Sequence, residues 1–222
     1  MADTGRADRV GARVVPPFLV GKRLYLRTVD EADLDGDYLR WLNDREVTRY
    51  LEVGKYPMTR EALAAYVARF NGSSTDLLFA IVDAATGVHI GTVTLNRINW
   101  IHQLADTGIL IGRKEYWGKG YGFEAWSLLI EYAFHRLGLR RIVAGTLDGN
   151  AGSVALLKKL GFTHEGTLRR QALVEGEFRD GLLFGLLREE FRRGPKETGM
   201  MSGAQGQGEG TPEAGRREED RR

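Results

Sequence analysis

The residues of this chain best suited to chemistry lie in one short run, Gly118-Lys119-Gly120-Tyr121-Gly122. It follows a stretch from Ala105 to Ile111 that reads as a strand. It precedes Phe123, Trp126, Leu129, Ile130, Ala133, Phe134 and Leu137, spaced three or four apart as on one face of a helix. Glycines at a strand-to-helix junction let main-chain N–H groups approach a ligand closely. The first helical turn leaves its donors unpaired, and the helix dipole adds positive potential. Such a junction is suited to a phosphate. A nucleoside triphosphate loop needs Ser or Thr directly after its lysine to hold magnesium, whereas Gly120 follows Lys119. A dinucleotide loop is compatible with Gly120-Tyr121-Gly122-Phe123-Glu124-Ala125, but this run lies past the middle of the chain, behind strands that read as antiparallel. Little chain then remains for a doubly wound sheet.

Composition narrows the chemistry further. The chain has no cysteine, so disulfides, thiolate metal sites and a cysteine nucleophile are all excluded. His89, His102, His135 and His164 show no metal-ligand spacing, and no metal site is expected. With 32 basic and 30 acidic residues the formal net charge is +2, and no basic cluster suggests nucleic acid or a membrane surface. No apolar run approaches the ~20 residues that span a bilayer, and residues 1–15 lack a signal-peptide core, so a cytoplasmic location is expected. At 222 residues and 42% hydrophobic content, the chain can bury one domain-sized core.

The elements that must position the glycine run can be read from hydrophobic period. Alternation begins at Arg23-Leu24-Tyr25-Leu26-Arg27-Thr28, which predicts a first strand. Two helices should follow, one after Asp30 through Leu34, Tyr38, Trp41 and Leu42, and one after Thr59 through Leu63, Val67 and Phe70. Leu77–Val82 and Ile90–Leu95, separated by Ala-Thr-Gly, predict a hairpin with a third strand beside it. Beyond the glycine helix, Arg141–Leu147 reads as a strand and Asn150 as the N-cap of a helix ended by Gly161. Strands near Phe162–Arg170 and Leu182–Leu187 complete the set. The expected fold is α/β, a mixed, largely antiparallel sheet of about six or seven strands flanked by about four helices. Three segments are expected: an N-terminal extension over 1–17, a folded domain over 18–193, and a disordered tail over 194–222, rich in glycine and charge.

Several motifs in order carry a resemblance: Leu24-x-Leu26-Arg27, Trp41-Leu42-Asn43-Asp44, Tyr116-Trp117-Gly118-Lys119-Gly120-Tyr121-Gly122-Phe123-Glu124-Ala125, Asn150-x-x-Ser153, and Lys159-Leu160-Gly161-Phe162-x-x-Glu165-Gly166. Together they resemble the GCN5-related N-acetyltransferase (GNAT) superfamily, in its RimJ/RimL branch, over roughly residues 18–191. The resemblance implies acetyl-CoA as cofactor, with the pyrophosphate held by Trp117, Gly118, Lys119, Gly120, Tyr121, Gly122 and Phe123. Trp117 departs from the Arg or Gln of many members and puts a side-chain phosphate contact there in doubt. The resemblance also implies that Ile109, Leu110 and Ile111 offer main-chain groups to the acetyl and pantetheine amides, and that Asn150 touches the pantetheine arm. Asp106 would serve as base, directly or through water, and Ser153 would protonate the leaving sulfur.

Ordinary structural roles compete with these. Asp106 fits an edge-strand aspartate facing water, Asn150 fits a plain N-cap, and a serine in a first helical turn is common. Among the histidines only His102 lies close to Asp106 in sequence. Arg169 and Arg170 read as a strand end and Arg179 as a hairpin turn, while Trp41, Tyr50 and Trp100 fit either an acceptor wall or the core. The expected acceptor is an amine, on a small molecule or at a protein N-terminus, and a homodimer is compatible with the resemblance. A coenzyme A-binding sensor without turnover is the alternative of another class.

Overall fold

The computed structural model describes residues 15–192; the expected N-terminal extension, apart from residues 15–17, and the expected tail over 194–222 lie outside that range. The described chain forms one sheet of eight strands, in the order β1-β2-β3-β4-β5-β6-β8-β7. These are β1 (Leu19–Val20), β2 (Leu24–Thr28), β3 (Leu77–Asp83), β4 (His89–Asn99), β5 (Leu104–Ile111), β6 (Arg141–Leu147), β7 (Thr163–Val174) and β8 (Glu177–Leu187). Neighbours pair antiparallel except β5 and β6, which run parallel. The strand beyond the expected count is β1, too short for period to reveal, which pairs Leu19 with Leu26.

Helices cover both faces. On one lie α5 (Tyr121–His135) and α6 (Ala151–Lys159). The apolar ridge of α5, from Ala125 and Trp126 to Ala133 and Phe134, is buried against β2, β4 and β5 in the main core. Each large side chain buried there contributes about 1.5–3 kcal/mol. The indole of Trp126 keeps its polar atom satisfied by donating to Thr107 Oγ1 at 2.8 Å. On the other face lie α1 (Glu31–Leu34), α2 (Asp37–Asn43), α3 (Arg45–Thr48) and α4 (Arg60–Ala68), around a second core of Leu34, Tyr38, Trp41, Leu42 and Leu63.

The single helix expected after Asp30 is three short ones. Asp30 caps α1 in a capping box with Asp33, and Gly36 interrupts the helix in extended conformation before α2. The carboxylate of Asp44 then accepts from Glu46 N and Val47 N, starting α3 at a new angle. This path brings α2 onto the backbone just past β5: a Cβ at Gly112 would lie 1.9 Å from the Trp41 ring. Asp33 is buried between Arg27, whose guanidinium grips it at 2.7 and 2.8 Å, and His89, whose Nδ1 lies 3.1 Å away. Burial pushes the Asp33 carboxyl up, but hydrogen bonds from Arg27 and His89 outweigh it and hold the group well below the usual carboxylate range.

Candidate active site

The site begins where the sheet comes apart. β5 and β6 pair only over Leu104–Asp106 and Arg141–Val143, and then diverge. From Asp106 to Ile111 is five residues, so the cleft is about 17 Å deep along β5. Main-chain groups along a strand alternate between its two neighbours. Gly112 N donates to Ile90 O, so the even-numbered residues of β5 turn their main chain to β4 and the odd-numbered ones turn theirs to the cleft. The main chains of Ile109 and Ile111 therefore face it. Leu110 is a correction: its main chain is spent on β4 opposite Thr92, and its side chain packs on the second core.

At the open end of the cleft both α5 and α6 begin, so two sets of first-turn amides are gathered there. Gly118 and Gly120 take φ of +70° and +83°, a left-handed backbone that L side chains rarely adopt. The helix proper starts with Glu124 N donating to Gly120 O. Gly122 differs: a Cβ there would meet Leu156, Ile111 and Ile109 at 3.4 to 3.9 Å, ordinary packing distances, so the space between α5 and β5 does not itself demand glycine. Lys119 is exposed, Tyr121 and Phe123 are half-buried against the core, and the Lys159 ammonium lies 4.7 Å from the Phe123 ring. Trp117 has its indole N–H donating to Ile111 O at 2.7 Å, which closes the loop over the end of β5.

A residue that the sequence does not single out holds this loop in place. Arg23 donates from Nη1 to Lys119 O at 2.9 Å and from Nε to Glu124 Oε2 at 2.9 Å, its backbone N donates to Glu124 Oε1 at 2.7 Å, and its guanidinium lies 4.6 Å from the Tyr121 ring. On the other side, Arg113 pairs with Asp37, and Lys114 pairs with Asp44 and Glu46. The loop is thus tied to β2 and to the α2–α3 layer.

Asp106 lies at the vertex of the cleft on the face away from α5, with Oδ2 3.2 Å from Arg97 Nη2. Burial pushes its carboxyl above the usual range, while Arg97 and Asn96 pull the other way. Asn150 Oδ1 accepts from Ser153 N at 3.1 Å, so the side chain caps α6, and Ser153 is half-buried in the first turn. His102 is exposed in the β4–β5 turn, away from the open end of the cleft. Trp41 is core, and Trp100 is half-exposed with its indole on Ser74 O. Arg169 and Arg170 lie within β7 rather than at its end, and Arg179 lies in β8, because Glu175 and Gly176 with positive φ make the turn.

Two cavities of about 260 Å³ each flank the segment Leu51–Glu52, which contributes to both. One is mainly apolar and reaches β5 at Gly108, Ile109 and Leu110 beneath Tyr38 and Tyr66. The other lies between Arg45–Lys55 and the end of the β7–β8 hairpin, with Leu147 of β6 in its wall. Tyr50 joins it to the start of α6, since a Cβ at Gly149 would meet its ring and hydroxyl at 3.2 to 3.6 Å.

A run of main-chain donors at a helix start, beside a cleft with free strand amides, fits a pyrophosphate followed by an extended chain of amides, the chemistry of coenzyme A. Fold and site together define a coenzyme A-dependent N-acetyltransferase. Residues 23–163 match the family model described as an acetyltransferase (GNAT) domain, and the chain belongs to that family. It is 34% identical over 176 residues to the uncharacterized N-acetyltransferase p20 of Bacillus licheniformis, covering 78% of this chain and 97% of that one. It is 27% identical over 176 residues to the spermidine N(1)-acetyltransferase of Escherichia coli strain K12, covering 79% and 91%. Among solved structures it is similar to spermidine N-acetyltransferase from Vibrio cholerae in complex with CoA and spermine, with a TM-score of 0.69, 26% identity, and 76% and 97% coverage. No helix among the described residues is long and apolar enough to cross a membrane, and these residues hold no cluster of metal-binding side chains.

Proposed function

We propose that the chain transfers an acetyl group from acetyl-CoA directly to a primary amine, on a small molecule or at a protein N-terminus, in the manner of the RimJ/RimL branch. The observation that carries this reading is the cleft between β5 and β6 opening onto the glycine loop of α5. Acetyl-CoA supplies an activated acyl thioester. The amides of residues 118–123 bind its pyrophosphate, with Trp117 closing the loop on Ile111 O, and the main chain of Ile109 and the N–H of Ile111 hydrogen-bond the acyl arm. Asn150 orients the start of α6 beside that arm.

Asp106 lies two residues from Gly108 on the same strand face, about 7 Å from the edge of the apolar cavity. From there it takes the proton of the incoming ammonium through water, and its raised pKa makes it a better acceptor for that proton than an ordinary aspartate. Ser153 donates to the departing sulfur from the first turn of α6. The two cavities beside Leu51–Glu52 admit the acceptor. The chain has no cysteine, so in a thiol-release assay every thiol that appears is free coenzyme A. The proposal predicts amine-dependent thiol release with acetyl-CoA. Tight acetyl-CoA binding with no release across a broad amine panel would instead leave a sensor.

A further inference from the structure

We infer that the preferred acceptor is an amine bearing a carboxylate, rather than a polyamine, and that Arg45 receives that carboxylate. This rests on the acetyl-transfer reading above. The cavity beside β6 is walled by three cations, Arg45, Arg49 and Lys55, and by two carboxylates, Glu52 and Glu175. Both carboxylates are already engaged. Glu175 pairs with Arg49 across the rim, and Glu52 takes two hydrogen bonds from Lys55 Nζ at 2.7 and 2.8 Å. The acidic neighbours of Arg45, Asp44 and Glu46, are both turned to Lys114. Arg45 is exposed on the cavity wall with no carboxylate among the described residues paired to it. Asp148, just after Leu147, lies outside the lining residues.

A polyamine brings a second and third ammonium that need unpaired carboxylates, and this wall has none to give without breaking an ion pair. A carboxylate near the reacting amine meets a free guanidinium whose planar fork suits it. The likeness to spermidine acetyltransferases therefore covers the fold and the cofactor cleft, while the charge of this wall selects a different acceptor.

The test uses the full chain with acetyl-CoA and four acceptors: spermidine, free glutamate, and two tripeptide amides with a free α-amine that differ only in Glu against Lys at the second residue. Thiol release gives kcat/KM, and calorimetry with the CoA-loaded protein gives binding apart from turnover. The expected result is a preference of at least about tenfold for the Glu peptide over the Lys peptide and spermidine, the scale of one ion pair in a partly solvated site. Arg45→Glu should reverse the order between the peptides. Glutamate matching the Glu peptide would assign a small amino acid, and glutamate lagging behind it would assign a peptide N-terminus. Spermidine or the Lys peptide equalling the Glu peptide overturns the inference, as does an order that Arg45→Glu leaves unchanged. If no acceptor binds or reacts while acetyl-CoA still binds, this inference fails alone. If acetyl-CoA does not bind, the acetyl-transfer reading fails with it.

Discussion

Replacing Gly120 by valine tests the loop at the position where backbone and surroundings both demand glycine. Gly120 has φ +83°, and an added Cβ would lie 3.2 Å from Arg23 Nη2. A left-handed conformation costs an ordinary L-residue roughly 1–2 kcal/mol, and a β-branched one is still less at ease there. The guanidinium cannot simply swing away, since it is held by Glu124 and by Lys119 O. The loop must therefore relax to negative φ, which turns one or two main-chain donors away from the pyrophosphate. A hydrogen bond to a charged group is worth about 1.5–3 kcal/mol, and each 1.4 kcal/mol is tenfold in affinity. The expected Gly120→Val result is an acetyl-CoA Kd raised by about tenfold for the weakest single donor lost to about ten-thousandfold for two strong ones, with a cooperative thermal melt retained. Gly118→Ala is the control: it shares the positive φ, but nothing lies within 4 Å of its added Cβ, so only the backbone cost applies and about thirtyfold is the ceiling. A folded Gly120→Val protein with wild-type affinity refutes the reasoning.

Other perturbations separate the remaining parts. Asp106→Asn should lower kcat by about a hundredfold with acetyl-CoA affinity unchanged, in the range typical of a general base. Arg97→Gln removes the cation that pulls the Asp106 pKa down, so the acid limb of the kcat/KM profile should move to higher pH, and an unmoved limb would argue against Asp106 as base. Ser153→Ala should cost about ten- to hundredfold in kcat, measured by thiol release, with Kd for acetyl-CoA preserved. Asp33→Asn leaves the partly buried guanidinium of Arg27 without its carboxylate, and denaturant unfolding at neutral pH should show a loss of about 3 kcal/mol, the low end for breaking a buried pair. The folded-state pKa of Asp33 lies below its unfolded value of about 4, so that stability is complete above about pH 4 and drains away as pH falls below it. The gap between wild type and Asp33→Asn should narrow accordingly in acid.

Much of the fold is legible in hydrophobic period because each strand and helix buries a face of its own. Leu24–Thr28, Arg141–Leu147 and the ridge of α5 are read directly from the sequence in this way. The glycine loop is legible because only glycine takes its backbone conformations cheaply. What stays hidden depends on residues far apart in the chain. Arg23 meets Glu124 across 101 residues, and Arg49 meets Glu175 across 126, and neither partner carries a local signal. The parting of β5 from β6 is equally silent, since a strand's own residues do not say where its neighbour leaves it. The break of the first helix has a signal in Gly36 and in Asp44 followed by Arg45 and Glu46, but the apolar spacing runs across it and masks the new cap. Leu110 shows the same limit, because its main-chain direction depends on strand alternation fixed by the pairing of Gly112 with Ile90.

The most direct test of the central claim, that the glycine loop and the β5–β6 cleft hold acetyl-CoA, is calorimetric titration of the wild-type chain with acetyl-CoA, with NAD and ATP as controls. Saturable one-to-one binding of acetyl-CoA, with little or no heat from NAD or ATP at the same concentrations, is the predicted result. A folded protein that gives no heat with acetyl-CoA, or that prefers NAD, contradicts the account.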